Sequence, residues 1–414
     1  MEISSMDEEA KKDYLLENLG KTILPLSIFE NEMRPGTEPL EVLIFYKKKT
    51  PIQKLKDSFF KAAEYYNLFS SRLIMIDDNK YALHHCKEGI NYHLLPPLNV
   101  TFDHANIDEI RKMIVPVETL PGEPMVALTG IPIKDGVFGG ISCSHAMTDG
   151  ISLLLFLFAW SCIIEEKEFL PPSPQRLFKG EPVRFDEIDK AFIPSLSELS
   201  DKIQNRVKYR KNVTVYSKKE YFSDDFLEEV KKKAKNENDK YLISNNQIIN
   251  SFLLKKYHNY ILPDTDSVRV RIPINFRGIH PEIDPCYIGT AYFIDIVEFS
   301  KTEIDKLSMY EIAYRLHESI TSSRNVDYIK KISYLSDNGI EIKTDMLKNF
   351  SPYDWKRDIV SSNLTHLNDL ESMGLGSNVG SIVHIGVTAP TSFAMMKEKS
   401  GSIFAQITSQ YPFP

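Results

Sequence analysis

The chain has 414 residues, enough for a large core and, at roughly 100 to 200 residues per domain, for two domains. Charged residues make up 26% and the formal net charge is only -7, which leaves no basic field for nucleic acid or an anionic bilayer. Cys86, Cys143, Cys162 and Cys286 lack C-x-x-C spacing, and the start MEISSMDEEAKKDY is acidic where a signal peptide is basic and then apolar; a reducing, cytoplasmic setting is expected.

In chain order, Thr50 and Pro51 read as an N-cap and first-turn pair, with Ile52, Leu55, Phe59 and Ala63 at helical spacing up to about Tyr66. Short strand-like runs follow, and His84-His85 reads as a solvated edge. In MVALTGIPIKDGVFGGISCS, Asp135-Gly136 supplies a positive-φ hairpin turn between two apolar arms. The second arm ends at His145. The apolar run Ile151 to Ile164 is shorter than the ~20 residues that span a bilayer, so it reads as a buried helix and no membrane span is expected.

From EEKEFLPPSP through about Lys211, prolines and charges replace periodicity, so we expect an N-terminal domain over 1–175, a crossover over 176–215 and a C-terminal domain over 216–414. The last opens with two helices marked by capping boxes, Ser244 with Gln247 and Ser308 with Glu311. Between them SVRVRIPIN alternates Val268, Val270, Ile272 and Ile274 with Arg269 and Arg271, a half-buried strand pattern. Late strands are expected around SIVHIGVTAP and SIFAQIT.

The chemistry centres on HAMTDG, His145 to Gly150. With ten histidines, H-x-x-x-D is expected about 0.6 times by chance, and about 0.03 times once the glycine is required. Spacing alone leaves two readings of His145 open, a core imidazole or a base. Its place at a strand end, after Gly139-Gly140 and other small residues that admit a second molecule, favours exposure of a ring nitrogen. Asp149 precedes a helix and can cap it. No G-x-S-x-G elbow, H-E-x-x-H or Cys/His cluster occurs, so a serine hydrolase and a metal site are not expected. GLGSNVG, Gly374 to Gly380, follows no apolar strand and reads as a turn rather than a dinucleotide loop. What remains is a base without a protein nucleophile, which suits attack of a substrate hydroxyl or amine on an acyl thioester.

These residues resemble those of the BAHD acyltransferases, in the superfamily typified by chloramphenicol acetyltransferase and peptide-synthetase condensation domains. HAMTDG is similar to their H-x-x-x-D-G motif, and LPLSIFEN, YYNLFSSRLIMIDDNKYALHHCKEGINYHL, INFRGI and YIGTA are similar to family segments in the expected order. The resemblance implies an α/β fold of two chloramphenicol-acetyltransferase-like domains, each a mixed β-sheet flanked by helices, with the active-site channel between them. It implies His145 as general base without an acyl-enzyme, acyl-CoA as co-substrate, no bound cofactor, and a small, hydrophobic alcohol or amine as acceptor. Asp149 is then structural and pairs with Arg277 of the N-x-R segment. Two fused domains favour a monomer.

The departures lie late in the chain. The family's D-F-G-W-G falls on Ser372 to Gly376, which keeps Gly374 and Gly376 but loses the acid and both aromatics. T-S-W becomes Ser361-Ser362-Asn363, in which Ser361 and Asn363 still offer oxyanion donors. Thr290 in YIGTA stands where asparagine is usual. Three alternatives stay open at this level: a carrier-protein-bound acyl donor, a hydrolase, and a non-catalytic binding protein on the same fold.

Overall fold

The computed structural model describes residues 23–26, 39–47, 50–77, 80–86, 89–120, 122–169, 171–173, 214–237, 242–279, 283–327, 329, 353–365, 379–386, 389–397 and 401–413. The first half runs β1 (Ile23–Pro25), β2 (Leu40–Lys47), α1 (Ile52–Tyr65), β3 (Ser71–Asp77), β4 (Lys80–His85), β5 (Ile90–Leu94), α2 (Ile107–Arg111), β6 (Val126–Ile133), β7 (Gly136–Cys143) and α3 (Gly150–Ile164). The second runs β8 (Tyr216–Phe222), α4 (Asp224–Glu237), α5 (Asn245–Ile261), β9 (Ser267–Asn275), β10 (Tyr292–Ser300), α6 (Lys301–Lys306) and α7 (Met309–Ser323). It closes with β11 (Asp358–Asn363), β12 (Val379–Gly386), β13 (Ser392–Lys397) and β14 (Ile403–Ser409).

The chain forms two compact units, each mixing sheet and helix: 1–178 with 283–291 and 370–388, and 179–282 with 292–369 and 389–414. Each unit thus gathers segments that lie far apart in the sequence. The expected crossover, 176–215, lies almost wholly outside the described residues. The first unit takes β12 from far down the chain, where it pairs antiparallel with β2 at the edge of a sheet ordered β12-β2-β7-β6-β5. Its second sheet is β1-β4-β3, which puts His84 and His85 on a central strand and not on an edge; His85 Nδ1 lies 2.9 Å from Ser70 Oγ.

Apolar periodicity explains the core of this unit. α1 buries Leu55, Phe59, Ala62 and Ala63 against α3, which is apolar on nearly every side and buried accordingly. Phe156 stacks on Phe69 at 4.0 Å, and the edge of Trp160 meets Phe59 at 5.0 Å. The Trp160 indole N–H donates to Ser58 Oγ at 2.9 Å, which lets its polar atom be buried. α1 begins one residue later than the sequence suggests, with Pro51 as its N-cap and no capping side chain. The β6–β7 hairpin forms as expected, but among the described residues only Glu166 and certain glycines have positive φ, and neither Asp135 nor Gly136 is one of them. Gly136 is needed for proximity instead: a Cβ there would lie 2.3 Å from Tyr46 O. Asp135 accepts Phe102 N–H at 2.9 Å.

The second unit is built on one sheet ordered β10-β9-β11-β13-β14-β8, with β11 parallel to both β9 and β13. Both expected capping boxes are present, and a third, Ser300 with Glu303, opens α6. Arg269 and Arg271 depart from the half-buried expectation, being only 6% and 8% exposed. Asp358, fully buried at the start of β11, draws them in: Arg269 Nε and Nη2 donate to its two oxygens at 2.5 and 2.8 Å, and Arg271 Nη1 donates at 3.2 Å. A carboxylate so paired makes burial of the guanidinium groups tolerable. Among the described residues, no helix is long and apolar enough to cross a membrane, and no group of three His, Cys, Asp or Glu could hold a metal ion.

Candidate active site

β7 delivers the chain to the HAMTDG turn. Its small residues make room for the protein's own packing. A Cβ on Gly139 would lie 3.2 Å from Tyr46 Cε2, and one on Gly140 would lie 2.8 Å from Ile114 Cγ1. The serine hydroxyls are committed as well: Ser142 Oγ accepts Val117 N–H at 3.0 Å, and Ser144 Oγ shares a hydrogen bond with Thr119 Oγ1 at 2.8 Å. Gly140→Ala should accordingly destabilise the protein by about 1 to 3 kcal/mol through overpacking. In thermal melts, adding Ile114→Ala should return part of the loss; fully additive losses would refute this contact as the reason for the glycine.

Beyond β7, Ser144 N–H donates to Met125 O at 2.8 Å, and Ser144 Oγ accepts Ala146 N–H at 3.2 Å. The tight turn so formed carries His145, which is half-buried while its neighbours Ser144, Ala146 and Met147 are buried. Cys143 lies two residues upstream. Burial, aided by the charge of Glu41, pushes its thiol well above the usual range, so it holds its proton and supplies no thiolate.

Asp149 is the N-cap of α3: its Oδ1 accepts Ser152 N–H at 2.9 Å. Its Oδ2 accepts Ala291 N–H at 3.0 Å, and the residue is 3% exposed. Ser152 Oγ donates to Gly289 O at 2.8 Å and accepts Gly289 N–H at 3.0 Å. Thr290 Oγ1 donates to His145 O at 3.3 Å. Residues 289–291, belonging to the YIGTA segment, thus clasp both the histidine turn and the first turn of α3. Gly289 has φ of 135°, a conformation that L side chains rarely adopt. In the sequence, Thr290 stands out only as a departure from a motif and Ser152 not at all; YIGTA itself is the available signal.

The other sequence-derived candidates belong to the second unit. Arg277 follows β9, is 8% exposed, and donates through both N–H and Nη1 to Asn275 Oδ1 at 3.2 Å. Ser361 and Asn363 lie two apart on β11 and share one of its faces. Ser361 is fully buried, and its hydroxyl has no hydrogen-bond partner among the described residues. Asn363 is exposed; its Oδ1 accepts Thr365 Oγ1 at 2.7 Å, which leaves the amide nitrogen as its donor end. Ser372 to Gly376 lie outside the described residues, as does most of the GLGSNVG stretch.

The sequence model of the transferase family matches residues 17–405. The chain belongs to this family, the BAHD-type acyltransferases. No curated protein sequence matches it. Among solved structures, TRI101 of F. sporotrichioides, complexed with coenzyme A and T-2, superposes with a TM-score of 0.68 at 14% identity, covering 93% of this chain and 94% of that one. Vinorine synthase superposes with a TM-score of 0.62 at 12% identity, covering 94% and 92%. Polyketide synthase associated protein 5 from Mycobacterium tuberculosis gives 0.59 at 11% identity, covering 94% of both chains. At such identities the likeness shows the shared fold, and the family match makes the chain an acyltransferase of that fold.

Proposed function

We propose that this BAHD-type acyltransferase uses acyl-CoA to form an ester or amide on a small, hydrophobic alcohol or amine, with His145 as general base. The observation that carries the reading is the half-buried histidine on a turn held at both ends, beside a cysteine whose thiol burial keeps protonated and a serine whose hydroxyl is hydrogen-bonded to Thr119. The structural relative complexed with coenzyme A supports the choice of donor. His145 takes the acceptor's proton as its oxygen or nitrogen bonds to the thioester carbonyl carbon. The carbonyl electron pair moves to oxygen, and its return expels the thiolate, which takes the proton back from the imidazolium. No acyl-enzyme forms.

Within the same reading, Ser361 Oγ and the Asn363 amide serve as oxyanion donors, which fits a buried hydroxyl that lacks a partner among the described residues. Arg277 is the cation assigned to Asp149. A cytoplasmic monomer is the state proposed for the working enzyme. The test is thiol release from a panel of acyl-CoA esters, with and without alcohols and amines. Release that depends on an acceptor supports the proposal; release at equal rate without one makes the protein a hydrolase, and none with any donor removes the CoA-dependent reading.

A further inference from the structure

We propose that Thr290 is a positioning residue for His145, an inference that rests on His145 being the base. His145 sits in a turn beyond the last ladder bond of β7, so regular structure does not fix its peptide. Its carbonyl accepts the Thr290 hydroxyl at 3.3 Å, and Thr290 is 1% exposed. The main chain on either side of Thr290 is committed elsewhere: Gly289 exchanges hydrogen bonds through both its N–H and its carbonyl with Ser152 Oγ, and Ala291 N–H donates to Asp149 Oδ2. A β-branched side chain on a backbone held in this way has little freedom at χ1. Its hydroxyl is therefore a fixed point against which the His145 peptide is set. A shift of that peptide would displace the His145 Cα and carry the imidazole with it. Misplacement of a reacting group by about 1 Å can cost on the order of 100-fold in rate.

Thr290→Val keeps the shape and removes the donor. We expect its His145-dependent turnover of acetyl-CoA to fall about tenfold, equivalent to about 1.4 kcal/mol, with KM for acetyl-CoA unchanged. Thr290→Ser, which restores the hydroxyl, should return turnover to within about twofold of wild type. With kcat normalised to the folded fraction measured in the assay, a stability defect alone would leave it at the wild-type value. Unchanged turnover in Thr290→Val, or a Thr290→Ser variant as slow as Thr290→Val, overturns the assignment. His145→Ala in the same assay separates the two claims: if it keeps wild-type turnover, the base reading has failed. Carbethoxylation of His145 by diethyl pyrocarbonate, followed by peptide mass, then decides alone. A rate altered in Thr290→Val and restored in Thr290→Ser keeps the positioning role, and equal rates in all three proteins end it.

Discussion

His145→Ala is expected to lower acceptor-dependent thiol release by about 10²- to 10⁴-fold, the range a general base contributes. The melting temperature should stay near that of the parent, since the ring is only half-buried and the tested change leaves the backbone turn, its Thr290 hydrogen bond and the cap of α3 in place. The pH profile adds a second signature. An imidazole must be neutral to accept a proton, so wild-type turnover should fall at acid pH, and that limb should vanish in the variant. A variant retaining both rate and limb would remove His145 from the reaction. Residual rate is expected from bound geometry and oxyanion contacts, which do not need the base.

The second large effect is on stability. Asp149→Ala strands two buried backbone donors, Ser152 N–H and Ala291 N–H, and is expected to cost about 3 to 5 kcal/mol, or on the order of 10 °C in melting temperature. Asp149→Asn retains an acceptor for one of them and remains a good N-cap, so it should fall between alanine and wild type. Arg277→Ala separates the clasp from the proposed ion pair. Melting temperatures unchanged in both Asp149→Asn and Arg277→Ala would eliminate the pair. A drop confined to the Asp149 variants would leave the backbone clasp as the whole role of that carboxylate. Because the clasp also holds His145, turnover of the folded fraction should fall with stability.

These expectations rest on features of unequal legibility. Helix caps were readable because a cap is written within one turn: Ser244 with Gln247, Ser308 with Glu311, and Asp149 before α3 all form as the spacing suggests. The all-round apolar run after Gly150 could only be buried, and it is. The roles of the β7 glycines were not legible, since a glycine's purpose depends on which side chain approaches it. Ile114 and Tyr46 occupy that space. Nor could alternation in SVRVRIPIN reveal that Arg269 and Arg271 are buried, because the partner that permits it, Asp358, lies 89 residues beyond Arg269.

By itself, then, the sequence determined the family, the motif and the local elements, since each is encoded by residues a few positions apart. Only the tertiary structure decided which distant segments complete the first unit. β12 joins β2, and Gly289 to Ala291 reach back across the chain to hold Ser152, His145 and Asp149. The physical reason is that a backbone N–H or a free sheet edge carries no address in the local sequence. It can be satisfied by any complementary group that packing brings near, and that choice is made by burial of the whole core.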